Sequence, residues 1–248
     1  MLEAVRPDNA PDLAFICKND NFGCRILSAY NTFGGDPSLV TMLAYADGAP
    51  VGALSLKGGS AVVCGAYNEE IADCLRFLGA REIFAPESFP PFDGVRESSR
   101  GPVAALQACA PVGFDKAERI DAETLREIYP VIVSDLPEIA NQPFDAWYVE
   151  LSHRLRHGNA RILAVKDGGS IVATAMTAAE TDAVAVIGFV RTLAAYRHRG
   201  YASGVCRLLG NELLQEHKTV YICCDAAVFP FYKKLGYRQI GNWWYGKL

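Results

Sequence analysis

Val190 to Ala202, VRTLAAYRHRGYA, is the stretch that decides the fold. An apolar, β-branched run precedes it and an amphipathic helical pattern follows it, so the sequence predicts a strand, a short basic turn and a helix. The first backbone N–H groups of such a helix have no intrahelical partner, and the helix dipole adds partial positive charge there. Gly200 permits left-handed backbone angles and, with the small Ala202, lets a ligand approach closely. We therefore predict an anion site, most naturally for a pyrophosphate.

This stretch resembles the coenzyme A motif of the GNAT acetyltransferases, R/Q-x-x-G-x-G/A, with Arg197, Gly200 and Ala202 at its fixed positions. The lead-in VRTLAAYR is similar to the family's V-x-T-x-x-x-Y-R. Further along the chain, FYKKLGY at residues 231–237 resembles the family's F-Y-x-K-L-G-F/Y element. An ordinary strand-to-helix turn with solvated arginines would explain the first element but not the second.

The resemblance implies an N-acetyltransferase that moves the acetyl group of acetyl-CoA directly to a primary amine. It implies that Tyr232 lies near the coenzyme sulfur and protonates the departing thiolate, a role that suits a phenol with an ordinary pKa of about 10. A buried tyrosine that packs the short helix is the alternative for this residue. The coenzyme contacts that we predict are Val190, Thr192, Leu193, Arg197, His198, Arg199, Gly200, Tyr201, Ala202, Ser203 and Phe229.

Several residues depart from the family pattern or fit another interpretation. His198 is also typical of a solvated loop, and Phe229 stands where family members often have an asparagine that touches the coenzyme. No general base is evident, although many family members deprotonate the amine through water. The candidate carboxylates are Glu150, Glu180, Asp182 and Asp225.

These departures leave two other hypotheses open. The first is a coenzyme A-binding or scaffold module of the same fold without turnover. The second is another phosphate ligand, such as a nucleotide, in the basic turn. The absence of a G-x-x-x-x-G-K-[ST] loop argues against the nucleotide.

A hairpin, a strand and a helix occur twice along the chain. LAYADG at residues 43–48 matches LAVKDG at 163–168, and an apolar strand pattern follows each, at 61–65 and 184–188. A helical pattern comes next in both copies. Two unrelated α/β units that share an Asp-Gly hairpin are the alternative to a repeat.

The first copy has no equivalent of the segment 191–200. Without the glycine turn and its arginines it lacks an evident phosphate cradle. Since tandem proteins with one decayed half occur in the GNAT family, we predict an α/β fold (an α+β mixed sheet) with two tandem GNAT-like domains. The first, at 1–115, is degenerate, and the second, at 116–248, binds acetyl-CoA.

The helix pattern from Phe144 to His157 carries an apolar stripe. In GNAT folds the helices before the hairpin wall the acceptor site, so Trp147 or Tyr148 either faces a substrate or packs against the sheet. Pro86 to Pro102 is rich in Pro, Gly and Ser and predicts a loop. Val103 to Phe114 predicts an edge strand, a short helix or both.

Composition excludes several classes of protein. The net charge of −4 argues against a general nucleic-acid binder. The apolar runs are too short to cross a bilayer, and the N-terminus lacks the pattern of a signal peptide. We therefore expect a cytoplasmic protein without a membrane partner.

The eight cysteines show neither C-x-x-C nor zinc-type spacing. We predict reduced core thiols and no metal, because a free Cys in an apolar pattern behaves as a small hydrophobe. A catalytic cysteine is the alternative, and none has a His close in sequence. The partner we expect is a small-molecule or peptide amine. The first half could shape the acceptor site, cover the sheet edge or form a homodimer, and the sequence does not choose among these.

Overall fold

The hairpin–strand–helix order that the sequence predicts twice is present twice in the computed structural model. The structure describes residues 1–108, 113–134 and 144–248. The strands are β1 (Leu2–Ala4), β2 (Leu39–Ala46), β3 (Ala49–Lys57), β4 (Ser60–Gly65), β5 (Glu82–Pro86), β6 (Arg96–Leu106), β7 (Ala117–Arg119), β8 (Ile162–Asp167), β9 (Ser170–Glu180), β10 (Val184–Thr192), β11 (Thr219–Cys223) and β12 (Tyr237–Lys247). The helices are α1 (Ala10–Cys17), α2 (Asn21–Phe33), α3 (Glu69–Phe77), α4 (Leu125–Val133), α5 (Phe144–Arg156), α6 (Tyr201–Gln215) and α7 (Phe229–Lys234).

All twelve strands form one mixed sheet, in the order β1-β2-β3-β4-β5-β12-β6-β11-β10-β9-β8-β7. The order is symmetric about the β12–β6 pair. β4 runs parallel to β5, and β10 runs parallel to β11. The last strand of each half pairs with the other half, because β12 lies against β5 and β6 lies against β11. The mixed α/β architecture agrees with the predicted fold class.

The strand β6 differs from the sequence prediction. We predicted a loop through residue 102 and an edge strand or a short helix after it, but β6 begins at Arg96 and lies between β12 and β11 in the middle of the sheet. Its first five residues, RESSR, are polar and mostly exposed, whereas its last six are buried. Alternation of apolar and polar residues is the main sequence signal for a strand, and the polar first half of β6 does not show it. For this reason the sequence pattern did not predict a strand there.

The two faces of the sheet are distinguished by neighbouring tryptophans of β12. Trp244 packs in the core under α3, whereas Trp243 packs in the core under α1 and α2. On β6, Val103 belongs to the α1–α2 core and Ala104 to the core under α6. Successive residues of a strand point to opposite faces. Helices α3 and α6 therefore cover one face, and α1 and α2 cover the other.

Some features are absent from the described ranges. No helix there is both long and apolar enough to cross a bilayer. The cysteines described are free thiols, and no group of three or more His, Cys, Asp or Glu residues is arranged to hold a metal ion.

A buried carboxylate joins the end of β9 to the loop before β11. Glu180, whose side chain is 4% exposed, lies 2.6 Å from Arg161 Nη2 and 2.7 Å from Lys218 Nζ. Arg161 also contacts Glu216, and this contact lowers the pKa of Glu216 to about 2. The sequence interpretation of Glu180 as part of a solvated turn is wrong, since the turn closes over it.

We expect Glu180→Ala to lower the free energy of unfolding by about 3 kcal/mol, because removing one partner leaves Arg161 and Lys218 poorly compensated in a buried site. Chemical denaturation measures this change. The matched control is Asp182→Ala, since Asp182 is exposed two residues away. Equal losses in the two variants would show that the network contributes nothing.

Candidate functional site

The site lies where the parallel strands β10 and β11 separate. They pair from Val184–Thr219 to Ile187–Ile222. Beyond that point β10 continues to follow β9, with a register shift between Gly188 and Arg191. Phe189 has a φ of 49° there, in the left-handed region that non-glycine residues rarely adopt. The irregularity turns β10 away from β11 and opens a wedge between them.

A cavity of about 570 Å³ lies between the end of β10, the start of α6 and α7. It brings together Tyr232 and most of the predicted coenzyme contacts. The predicted residues that line it are Val190, Thr192, Arg197, His198, Gly200, Tyr201, Ala202, Ser203 and Tyr232. Residues that sequence reasoning did not select also line it, namely Arg191, Tyr196, Val228 and Phe231.

Gly200 begins α6 in the conformation that the sequence predicts. Its φ is +80°, and the helix has neither a side-chain cap nor an acidic residue in its first turn. The first intrahelical bond joins the Gly204 N–H to the Gly200 carbonyl. The N–H groups of residues 201–203 therefore lack intrahelical partners, as those of any first turn do. They are available to an anion in the cavity.

The arginines of the turn are arranged differently from each other. Arg197 lines the cavity and donates from Nε to the Thr192 carbonyl at 3.2 Å. Arg199 lies outside the cavity, over the Tyr196 ring and 3.6 Å from Asp167 Oδ2. Asp167 also accepts a hydrogen bond from the Tyr201 hydroxyl at 3.3 Å. Asp167 thus holds the basic turn in place, a role that its Asp-Gly hairpin motif did not reveal.

Leu193 and Phe229 do not line the cavity. The Leu193 N–H donates to the Val172 carbonyl at 2.9 Å, so it is not available to a thioester. Its side chain packs on the core beneath α4 and α5. Phe229 packs against the core under α6, while its neighbour Val228 lines the cavity.

Two polar groups of β10 reach the cavity region without partners of their own. The Thr192 hydroxyl and the Arg191 Nε are buried and make no hydrogen bond within the described residues. Both residues line the cavity. Sequence reasoning selected Val190 and Thr192 but not Arg191.

Tyr232 both packs the short helix and lines the cavity, so the two interpretations of this residue are compatible. The residue is 8% exposed, and the centre of its ring lies 5.6 Å from that of Tyr237 and 5.0 Å from that of Phe231. Burial raises the pKa of Tyr232 well above its usual value, while the nearby charge of Arg191 opposes part of that rise. The phenol therefore stays protonated across the neutral range and can donate a hydrogen bond.

The candidate bases lie elsewhere. No Asp or Glu is among the described residues that line the cavity. Glu180 is held in its ion pairs, and Asp182 and Asp225 are exposed. Glu150 lies 3.7 Å from Lys57.

A smaller cavity of about 240 Å³ lies beside Phe189, between β10 and α5. Trp147 and Glu150 line it. The Trp147 ring also lies 4.9 Å from that of Tyr129. Trp147 therefore packs on Tyr129 and lines the smaller cavity as well. Tyr148 packs on Phe144 at 5.6 Å.

Comparison with known proteins relates the second half of the chain to one family. Residues 122–237 match the acetyltransferase (GNAT) family model, a region just under half of the chain. No curated protein sequence matches significantly.

Solved structures share the fold over 92–100% of the chain. A GNAT-family acetyltransferase of Novosphingobium aromaticivorans is 18% identical, with a TM-score of 0.60 over 92% of this chain and 97% of that one. One from Colwellia psychrerythraea is 11% identical, with a TM-score of 0.59 over 100% of both chains. A tandem GNAT protein from the clavulanic acid biosynthesis pathway is 14% identical, with a TM-score of 0.57 over 100% of this chain and 98% of that one.

Proposed function

We propose that this protein transfers the acetyl group of acetyl-CoA to a primary amine of a small molecule or peptide, and that its second half does so. The observation that carries the proposal is the cavity in which an uncapped helix N-terminus and the buried Tyr232 phenol meet. A pyrophosphate and a thioester are the parts of one ligand that such a cavity could hold together. The family match over residues 122–237 supports the same chemistry.

The residues present fit coenzyme A. The pyrophosphate would lie against the N–H groups of residues 201–203, with the Arg197 guanidinium beside it. The Thr192 hydroxyl, buried and unpartnered within the described residues, suits the polar groups of the pantetheine arm. Because the described lining contains arginines and no carboxylate, the cavity favours an anion.

Acetyl-CoA would supply the activated thioester. The wedge between β10 and β11 would position that thioester, and the amine would approach from the smaller cavity bordered by Trp147 and Phe189. The Tyr232 hydroxyl would then donate its proton to the departing thiolate, and the phenolate would take a proton back from water. No carboxylate lines the coenzyme cavity among the described residues, and Glu150, which borders the smaller cavity, lies 3.7 Å from Lys57, so we propose that the amine loses its proton to water.

We also propose that the chain is a tandem protein whose first half, residues 1–115, does not hold the coenzyme. The symmetric strand order supports the duplication. At the position equivalent to α6, the Asn68 side chain caps α3 by accepting from the Ile71 N–H, and Glu69 and Glu70 occupy the first turn. The Asn68 side chain satisfies an N–H group at the start of the helix, and the carboxylates of Glu69 and Glu70 would repel a pyrophosphate.

Calorimetric titration of acetyl-CoA into the full chain tests this proposal, and we expect one site per chain. Replacing both Glu69 and Glu70 with alanine should leave that site unchanged, because α3 lies outside it. Two sites per chain would contradict the degenerate first half. Absence of binding would overturn the proposal as a whole, whereas binding without acetylation of an amine panel would favour the non-catalytic module.

A further inference from the structure

The smaller cavity, of about 240 Å³, runs along one face of α5. The helix residues that line it recur at intervals of three or four, namely Ala146, Trp147, Glu150, Leu151 and Arg154. Met176 of β9 and Phe189 of β10 complete the lining. Trp147 and Arg154 are seven residues apart, so at 1.5 Å of rise per residue the cavity extends for about 10 Å along the helix.

The Arg154 end of this cavity is the end away from the wedge. Arg154 Nη2 donates to the carbonyl groups of Thr177 and Ala178 on β9, at 3.3 Å and 2.9 Å. Thr177 pairs with Ile187, in the part of β10 that still lies beside β11. Phe189 follows the point at which β10 leaves β11. A molecule in the cavity can therefore have one end near the wedge and the other end at Arg154.

Arg154 is a cation that lacks a carboxylate partner. Its hydrogen bonds go to the carbonyl groups of Asn159, Thr177 and Ala178, and all of them come from Nη2. Its Nε and Nη1 make no hydrogen bond or ion pair in the part of the chain that the structure describes, and neither atom is fully enclosed. Burial lowers the pKa of Arg154, so the guanidinium is poorly hydrated. Poorly hydrated charges are normally paired, and an anionic group on a ligand would provide the partner.

The charges around Arg154 leave it positive. Two carboxylates act on it electrostatically, Glu150 and Glu180. Glu150 lies 3.7 Å from Lys57, and Glu180 is held in the ion pairs of the β9 end, so each has cationic partners of its own. Arg25 of α2 adds a like charge, and it contacts Asn21 and the Phe84 ring rather than a carboxylate. This end of the cavity therefore favours an anion.

We propose that the acceptor of acetyl transfer is a primary amine that carries a carboxylate about 10 Å away, as an extended tripeptide does, and that Arg154 binds this carboxylate. The inference rests on the proposed acetyl transfer. The amine lies at the Phe189 end, near the wedge, and the carboxylate accepts a charge-assisted hydrogen bond from the Arg154 guanidinium. Since Glu150 lines the same cavity, a phosphate dianion would be repelled more strongly than a carboxylate.

Trialanine and trialaninamide are the probes, because they differ only in the C-terminal group. In calorimetric titrations of the full chain saturated with coenzyme A, we expect trialanine to bind at least tenfold more tightly than the amide. One hydrogen bond to a charged group accounts for this ratio. Equal affinities, tighter binding of the amide, or no binding of trialanine would overturn the proposal.

Variants of Arg154 test whether this residue provides the preference. Arg154→Gln should reduce the ratio of the two affinities to less than about twofold, whereas Arg154→Lys, which keeps the charge, should retain part of it. The matched control is Arg156→Gln, since Arg156 is exposed on the same helix and lies outside the cavity lining. A purely structural role would weaken both peptides alike and leave the ratio unaltered. A ratio that survives in Arg154→Gln would therefore overturn the proposal.

A substitution at the other end of the cavity keeps the test available if Arg154→Gln does not fold. Ala146 is an exposed residue of α5 that lines the cavity, so Ala146→Phe should fold and fill part of the space. We expect it to raise the Kd for trialanine at least tenfold. Unchanged binding in this variant would show that the peptide binds elsewhere.

Initial-rate kinetics separate this inference from the proposed acetyl transfer, because the binding comparison needs no turnover. Acetylation of other amines but not of trialanine would leave the transfer reaction standing and overturn the carboxylate preference. An Arg154-dependent binding preference without acetylation of any amine would overturn the transfer reaction and support recognition of the carboxylate.

Discussion

Tyr232→Phe should lower kcat for acetyl transfer by about 10²–10⁴-fold, the range that a positioned proton donor supplies. Acetyl-CoA affinity should change less than about twofold, since the ring still fills its place beside Phe231 and Tyr237. The expected effect is large because the cavity holds no described carboxylate to act in its place. Steady-state kinetics with an amine acceptor, together with calorimetric titration of acetyl-CoA, separate the loss of turnover from the loss of binding.

Tyr237→Phe is the matched control for this experiment. Tyr237 is also buried and packs on Tyr232, but it does not line the cavity. Its hydroxyl can therefore be removed without touching the reacting atoms. If both variants turn over alike, the phenol of Tyr232 is not the acid, and the departing thiolate takes its proton from solvent.

Gly200→Trp combined with Arg197→Ala should raise the Kd for acetyl-CoA at least 100-fold. The indole would occupy the space in front of the first turn of α6, because a Cβ at residue 200 would meet only open space within 4 Å. Loss of Arg197 would remove the charge-assisted contact that we propose with the pyrophosphate, and such hydrogen bonds contribute about 1.5–3 kcal/mol each. Titration calorimetry of the two single variants and the double variant measures both contributions.

A side chain at Gly200 also strains the backbone, since its φ is +80°. Gly79→Trp controls for this strain, because Gly79 has a φ of +72° with the same open surroundings and lies outside the cavity lining. Both variants should lose about 1–3 kcal/mol of stability. If Gly79→Trp weakens acetyl-CoA binding as much as Gly200→Trp does, the loss reflects general destabilisation and the anion site is wrong.

Local patterns predicted the parts of the site that depend on neighbours in sequence. The conformation of Gly200, the strand before it and the helix after it follow from residues close to one another along the chain. Arg191 and Asp167 escaped prediction for different reasons. The bulge at Phe189 alters the alternation of β10, and Asp167 reaches the turn from another strand. Neither effect leaves a local pattern in the sequence.

The arrangement of the strands escaped prediction for a similar reason. The repeat predicted two successive hairpin–strand–helix units, and both are present. A sequence repeat does not state which strand lies beside which, and here β6 and β12 each lie beside a strand of the other half. The domain boundary near residue 115 stays a prediction, and the sheet is continuous across it.

β12 belongs to the second half of the chain but pairs with β5 of the first half, and this pairing has a consequence for synthesis on the ribosome. β5 is complete at Pro86, yet its neighbour in the sheet ends at Lys247. A nascent chain thus exposes the β5 edge until residue 247 has left the exit tunnel. Pairings between residues so far apart in sequence form late and slowly, and an open strand edge invites association with other chains. Stalling or truncation shortly before β12 would therefore produce an aggregating fragment rather than a folded first half.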